Sequence, residues 1–300
     1  MISVDLKGKI EIASKTHKGQ VREHNEDSIS ENETLGIAVL ADGMGGLNAG
    51  EVASSMAVQL LMEELTAYCL GESALPAEIE NRELENNQLE INKARQEDAD
   101  GNTLPMAVQV VRMAVELANE AVFHSSQTIS RHRGMGTTVV VALFYDDRVA
   151  LAHLGDSRVY RFQDNLLERL TRDHSLVQEL IDKGLYTKEE ARLSEKRNVV
   201  TRALGVAPVV NVECSEHNVE VGDIFLQCSD GLHDLVSDED IELAFRELSG
   251  DLSELSDYLV ELANANGGKD NISVILTRIV RPFPANESAG LIRRIMNWFE

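Results

Sequence analysis

The chain has 300 residues, 28 Lys plus Arg against 51 Asp plus Glu, a formal net charge of −23 and a pI near 4.7. That balance argues against binding of nucleic acid, which needs a basic face, and against attraction to an anionic membrane surface. A hydrophobic content of 43% argues against a disordered acidic tail and allows a sizeable core, in one large domain or two small ones.

Three scattered cysteines, Cys69, Cys214 and Cys228, form no disulfide framework and no CxxC zinc spacing. They read as small buried hydrophobes. The first ten residues carry Asp5, Lys7 and Lys9 without an apolar core, so no signal peptide is expected. No apolar run approaches the ~20 residues of a membrane span. A cytoplasmic location is the expectation.

Along the chain, short runs rich in Val, Ile and Leu predict strands at 11–14 and 35–40. Helical periodicity follows at 49–67, with Val52, Met56, Leu60 and Leu61 on one face. Residues 71–105 are acidic and poor in apolar side chains, and read as a solvated surface insertion or a partner-binding segment. A second long helix is predicted at 106–123. Strands are predicted at 137–144 and 148–154, joined by an Asp146-Asp147 hairpin signal, and at 159–162. After a helix at 175–183, strands are predicted at 209–213 and 223–227, helices at 238–248 and 252–264, and a last strand at 272–279. Strands arrive in runs rather than in strict βαβ alternation. The fold class expected is therefore α+β, with antiparallel sheets covered by helices.

Four segments place acids beside Gly, Ser or Asn near the ends of apolar runs: Arg22-Glu23-His24-Asn25-Glu26-Asp27, Asp42-Gly43-Met44-Gly45-Gly46, Gly155-Asp156-Ser157-Arg158, and the pair Ser229-Asp230-Gly231 with Lys269-Asp270-Asn271. A carboxylate at a strand end projects into a rim held rigid by the sheet, and several rims can converge. Hard cations such as Mg²⁺ and Mn²⁺ take oxygen ligands, and Mg²⁺ keeps several waters. One isolated Asp-Gly is a turn signal, so the case rests on the set.

This ordered set resembles the metal-dependent protein Ser/Thr phosphatases of the PPM, or type-2C, family, in a bacterial form. It is carried further by Gly136-Thr137-Thr138, His153-Leu154-Gly155-Asp156, Leu170-Thr171-Arg172-Asp173-His174-Ser175 and Val200-Thr201-Arg202-Ala203-Leu204-Gly205. The resemblance implies a four-layer α-β-β-α sandwich, two central antiparallel sheets flanked by helices, over residues 1–282. It implies hydrolysis of phosphoserine and phosphothreonine by direct attack of a water bridging two Mg²⁺ or Mn²⁺ ions. By the same resemblance Asp42 bridges two ions, the Gly43 carbonyl ligates one, and Asp230 and Asp270 hold the other. Glu26 and Asp27 orient waters, Asp156 with Asp230 supports a third, weaker ion, and Arg22 clamps the substrate phosphate. The expected partners are a phosphorylated protein substrate and a Ser/Thr kinase whose work is opposed. Neither nucleic acid nor a membrane span is expected, and the protein is expected to be a monomer.

Where some relatives carry a His after the Asp-Gly pair, this chain has Met44, so a water or another group protonates the leaving oxygen. His24, His153 and His174 read as structural histidines. Residues 173–200 correspond to the family's flap beside the cleft; their charges suit either contact with a substrate protein or a solvated helix pair. The tail, 283–300, sets Leu291, Ile292, Ile295, Met296 and Phe299 at helical spacing opposite Arg293 and Arg294. It reads as a short amphipathic helix, meeting a membrane or partner or packing on its own domain. Two rival functions stand beside the general phosphatase: a phosphatase dedicated to one regulatory partner, as in an anti-sigma-type switch, and a pseudophosphatase binding module.

Overall fold

The computed structural model describes residues 5–46, 49–75, 77 and 104–284. Two antiparallel sheets form its centre. The first orders β1 (Ile10–His17), β11 (Ile272–Ile279), β10 (Ile224–Cys228), β7 (Arg158–Gln163) and β8 (Leu166–Arg169). The second orders β2 (Asp27–Asn32), β3 (Ile37–Met44), β5 (Val139–Tyr145), β6 (Arg148–Leu154) and β9 (Glu213–Asn218), with β4 (Gly136–Thr137) paired to the tip of β3. Helices α1 (Ala49–Leu70) and α2 (Met106–Thr128) cover the second sheet. The segment 173–200, expected from the sequence to be a flap, carries α3 (Leu176–Asp182) and α4 (Lys188–Leu193). After the short α5 (Asp230–His233), helices α6 (Asp238–Leu248) and α7 (Leu252–Ala265) cover the first sheet. The layers run helix, sheet, sheet, helix.

The sequence explains this packing. β5 is buried at every residue because one face meets the other sheet and the other meets helices, which is why it reads as an unbroken apolar run. Ala49, Ala53 and Ala57 repeat at the helical i, i+4 spacing and are buried, so α1 can lie close on β3. Between the sheets, Phe144 and Phe225 meet edge to face at 5.4 Å. Beside them the buried Gln227 side chain donates from the first sheet to the carbonyls of Ala38 and Val140 in the second, at 3.3 Å each.

Besides the longer β3 and the separate short β4, three strands differ from the sequence reading, and these three lie at sheet edges. The apolar run at 209–213 is a loop up to Val212; Val210 and Val212 are buried as packing residues without being paired. The strand that follows, β9, is polar and pairs only with β6. β2 and β8 were not expected as strands, because an edge strand with one neighbour and one wet face lacks the continuous apolar signature. Two tight hairpins use positive φ: Asp146-Asp147, as the sequence predicts, and Asp164-Asn165 between β7 and β8. Positions 76 and 78–103 of the acidic insertion, and everything from 285 onward including the 291–299 run, lie outside the described residues. Phe283 is buried against the second sheet's core, and its N–H donates to Asp147. Among the described residues no helix is long and apolar enough to cross a membrane.

Phe225 is 2% exposed and anchors the inter-sheet contact. Its replacement by Ala should cost about 3–5 kcal/mol of unfolding free energy, measured by urea titration with an unchanged m-value.

Candidate active site

Register brings the first two acids together. β2 and β3 pair so that Asp27 lies opposite Asp42. β3 runs on past the predicted end at residue 40 to Met44, so Asp42 and Gly43 lie within the strand and not in a loop after it. The extension is held by two threonines: Thr138 Oγ1 accepts the Asp42 N–H at 3.1 Å, and Thr137 Oγ1 donates to the Asp42 carbonyl at 2.8 Å.

Glycines let the other segments close in. A Cβ on Gly43 would sit 2.2 Å from the Gly50 carbonyl oxygen, and one on Gly50 would sit 2.9 Å from the Glu26 carboxyl. The tip of β3, the start of α1 and Glu26 therefore touch only because two glycines face each other. A Cβ on Gly231 would meet the Asn271 carbonyl oxygen at 1.9 Å, so the Asp230 and Asp270 segments are equally close.

Arg22 lies on the outer side of this cluster. Its Nη2 donates to Asp270 Oδ2 at 2.6 Å while the side chain stays 53% exposed. That hydrogen bond, with the surrounding carboxylates, raises the guanidinium pKa further. Asp156 is buried after β6, and its carbonyl accepts from His233 Nε2 at 3.1 Å. Glu26 faces Arg22, Asp270 and the start of α1; burial, then the neighbouring acids, raise its carboxyl. All eight residues singled out from the sequence, Arg22, Glu26, Asp27, Asp42, Gly43, Asp156, Asp230 and Asp270, thus fall in one cluster.

The electrostatics are those of acids crowded out of water. Burial, and then repulsion among neighbours, pushes Asp27 up to about 6 and Asp156 up to about 7, and lifts Asp42 and Asp230 well above the carboxylate range. Asp27 Oδ2 accepts from Ser229 Oγ at 2.8 Å. Asp27 Oδ1 and Asp230 Oδ1 are buried without a hydrogen-bond partner. Orphaned buried carboxylate oxygens, repelling one another among other oxygen donors, fit a hard divalent cation.

Thr137, Thr138, Ser229 and Asp234 contribute without having had a role in the sequence reading, whereas Asn271 is expected from the sequence to fix the loop beside Asp270. Thr137 and Thr138 fix Asp42, as above. Ser229 links Asp27 to β11 by accepting the Ser273 N–H at 3.0 Å. Asp234 repels both Asp156 and Asp230, and its carboxylate lies 3.5 Å from Arg197 of the flap. The signal for Asp234 was its spacing of four from Asp230, one helical turn. Asn271 Oδ1 accepts the Glu26 N–H at 2.8 Å, and its Nδ2 donates to the carbonyls of Lys18 and His24, tying the Arg22 segment to β11. His24 is exposed, and Met44 lies opposite Gly136 in register.

A two-sheet sandwich with a carboxylate-lined cleft and a bordering arginine defines a metal-dependent phosphatase class. The family model for protein phosphatase 2C matches residues 13–273, and the chain belongs to that family. It is 37% identical over 268 residues to the serine/threonine phosphatase stp of Listeria monocytogenes, covering 87% of this chain and 93% of that one. The Mycobacterium tuberculosis phosphatase PstP/Ppp superposes with a TM-score of 0.73 at 32% identity, over 90% of this chain and 99% of that one. The catalytic domain of PstP in complex with two manganese ions gives 0.71 at 31%, over 90% of this chain and 98% of that one.

The raised carboxyls fix the sign of a pH effect. A carboxyl whose folded pKa exceeds its unfolded value of ~4 stabilises the fold in its protonated form, and that contribution is lost as pH rises through the folded pKa. For Asp27 and Asp156 the window runs up to about 6 and about 7. Protein treated with EDTA should therefore melt several °C lower at about pH 7.5 than at about pH 5.5. Added Mn²⁺ should raise Tm more at the higher pH; calorimetry in both buffers checks this.

Proposed function

We propose that the chain hydrolyses phosphoserine and phosphothreonine in proteins at this cleft, with two Mg²⁺ or Mn²⁺ ions and a weaker third. The observation that carries the reading is the convergence of Asp27, Asp42, Asp230, Asp270 and Asp156 around buried, unpartnered oxygens beside one exposed arginine. When bound, such ions supply Lewis acidity: they lower the pKa of water and offset charge on a phosphoryl group.

The chain's own residues divide the remaining work. Asp42, with the Gly43 carbonyl, Asp230 and Asp270, holds the core pair. Asp42 is immobilised by Thr137 and Thr138, so the donor set needs little reorganisation. Asp156 and Asp230 hold the third ion. Asp27, pinned by Ser229, and Glu26, pinned through its backbone by Asn271, orient water. Arg22 turns a planar fork toward a tetrahedral oxyanion and is kept at the rim by Asp270. A phosphoprotein substrate implies a kinase that made it, and we assign the enzyme to opposing a serine/threonine kinase.

Asp42→Asn and Asp230→Asn should each lower kcat on a phosphothreonine peptide by about a thousandfold or more while the circular dichroism spectrum is kept. Turnover at the wild-type rate by Asp230→Asn, or indifference of the wild type to EDTA, would remove the assignment. Arg22→Ala should act chiefly on KM, raising it about tenfold with a smaller change in kcat, because phosphate binding is lost while the acidic cluster remains.

A further inference from the structure

Among the described residues, His153, His174 and Glu213 form one grouping whose ligand atoms all lie within 4.8 Å of one another. It resembles a cation site, and its geometry excludes that use. The two imidazoles are stacked, with centroids 4.7 Å apart and planes 6° from parallel. A ligating imidazole needs the ion in its own plane, and two stacked rings offer no shared point in both planes. The hydrogen bonds agree. His174 Nδ1 accepts the Gly155 N–H at 3.1 Å, so the neutral ring carries its proton on Nε2, facing Glu213 Oε2 at 3.1 Å, with Arg202 Nη1 3.3 Å away on the same side. No lone pair remains there for a metal.

What the ring does is hold two loops together. The His174 backbone N–H donates to the Gly155 carbonyl at 2.8 Å, so one residue grips both polar groups of Gly155. The next residue is Asp156. Gly155 cannot retreat, since a Cβ there would already lie 2.6 Å from the Thr138 side chain. On its other side the His174 carbonyl accepts the Thr201 N–H at 2.7 Å. Immediately beyond, Ser175 pairs with Val200 and the Leu176 N–H donates to the Val199 carbonyl at 2.8 Å. Both ends of the flap therefore meet at His174. His153 supports the ring by stacking and places its own Nε2 2.9 Å from the carbonyl of Arg172, the residue immediately before the flap.

We propose that His174 is a positioning residue that clasps the base of the flap to the Gly155-Asp156 turn, so that the substrate-facing flap is held in register with a turn already packed against Thr138. The clasp depends on Nδ1 as acceptor and on Glu213 to orient the ring. The flap reaches the cleft at Arg197, which faces Asp234. A protein substrate large enough to touch the flap senses the clasp, and a small aryl phosphate does not.

The amide side chains separate the two halves of the ring. Asn places its Oδ1 near the position of Nδ1 and keeps an acceptor for Gly155; Gln reaches toward the position of Nε2 and leaves Gly155 without one. Wild type, His174→Asn and His174→Gln are compared as the full chain. In metal-free protein, hydrogen exchange by mass spectrometry should be about tenfold or more faster over peptides covering Gly155 and Thr201 in His174→Gln, and within about threefold of wild type in His174→Asn. With Mn²⁺, His174→Gln should raise KM for a phosphothreonine peptide about tenfold, with kcat on p-nitrophenyl phosphate kept within about twofold; His174→Asn should restore KM to within about threefold. Glu213 is half-exposed, so Glu213→Ala folds even where a core change does not; it should raise the peptide KM about threefold and speed exchange at Gly155. The proposal is overturned if His174→Asn matches His174→Gln in exchange and KM. Equal loss of kcat on both substrates, or unchanged exchange at Thr201 in His174→Gln, overturns it as well. Because the exchange arm needs no turnover, an inactive wild type would count against the phosphatase reading and not against the clasp.

Discussion

Repulsion among Asp27, Asp42, Asp156 and Asp230 at one edge of the sandwich is the constraint to which the neighbouring structure answers. Removing one carboxylate from water costs several kcal/mol even after relaxation; here burial raises all four carboxyls, and the neighbouring acids raise Asp42 and Asp230 further. Nothing soft could hold them. Two come from facing strands in fixed register, one follows a buried strand, and one opens a short helix whose Gly231 is wedged against Asn271. Hydroxyls of Thr137, Thr138 and Ser229 take up backbone and carboxylate groups that would otherwise let the loops relax apart. The fold keeps in place an arrangement that is unfavourable without counter-charge, and that is what gives it affinity for cations.

The net charge of −23 then separates into two populations. The cleft acids are desolvated and would be offset by bound cations, so the formal value overstates the working charge near the site. The remainder is solvated surface, where ion pairs such as Lys15–Asp257 contribute little. Against that background Arg22 is an exposed cation at the cleft rim. Arg158 is different: it is largely buried, grips Asp173 through two nitrogens at 3.0 and 2.7 Å, and so fixes the turn that leads into the flap.

The cleft was legible because its chemistry is written in short contiguous motifs, each fixed locally by a strand end and a glycine. The core strands were legible because burial on both faces leaves long apolar runs, unbroken in β5 and interrupted only by Ser273, Thr277 and Arg278 in β11. The edges were not. β2, β8 and β9 are mixed or polar, since each has a single strand neighbour, and the Val-rich stretch before β9 is apolar for packing and not for pairing. The end of β3 was set too early because Ala41 and Asp42 are strand through pairing with the polar edge strand β2, and Gly43 and Met44 through pairing with β4, about 95 residues away. The residues behind the site were illegible for the same reason: Thr138, Ser229 and His174 act through partners that only the tertiary fold supplies. Asp234 was the exception, one helical turn from Asp230.

The pairing of β1 with β11 has a consequence in time. Ile10 lies opposite Ile279, so the first strand of its sheet closes against the last. All strands of the second sheet lie before residue 219, and that sheet can pair while the chain is still being made. β1 has no such option: at about 5–20 residues per second it waits roughly 10–50 s for its partner to be synthesised. Until then the covering sheet consists of β7, β8 and β10 alone, and the inner face of the second sheet, with Asp27 and Asp42 already opposite each other, is covered only in part. Asp270 enters with the last strand to arrive, so the acidic cleft is completed only when the ends of the domain meet, and a chain that stalls before β11 presents a partly open apolar face and a site without Asp270.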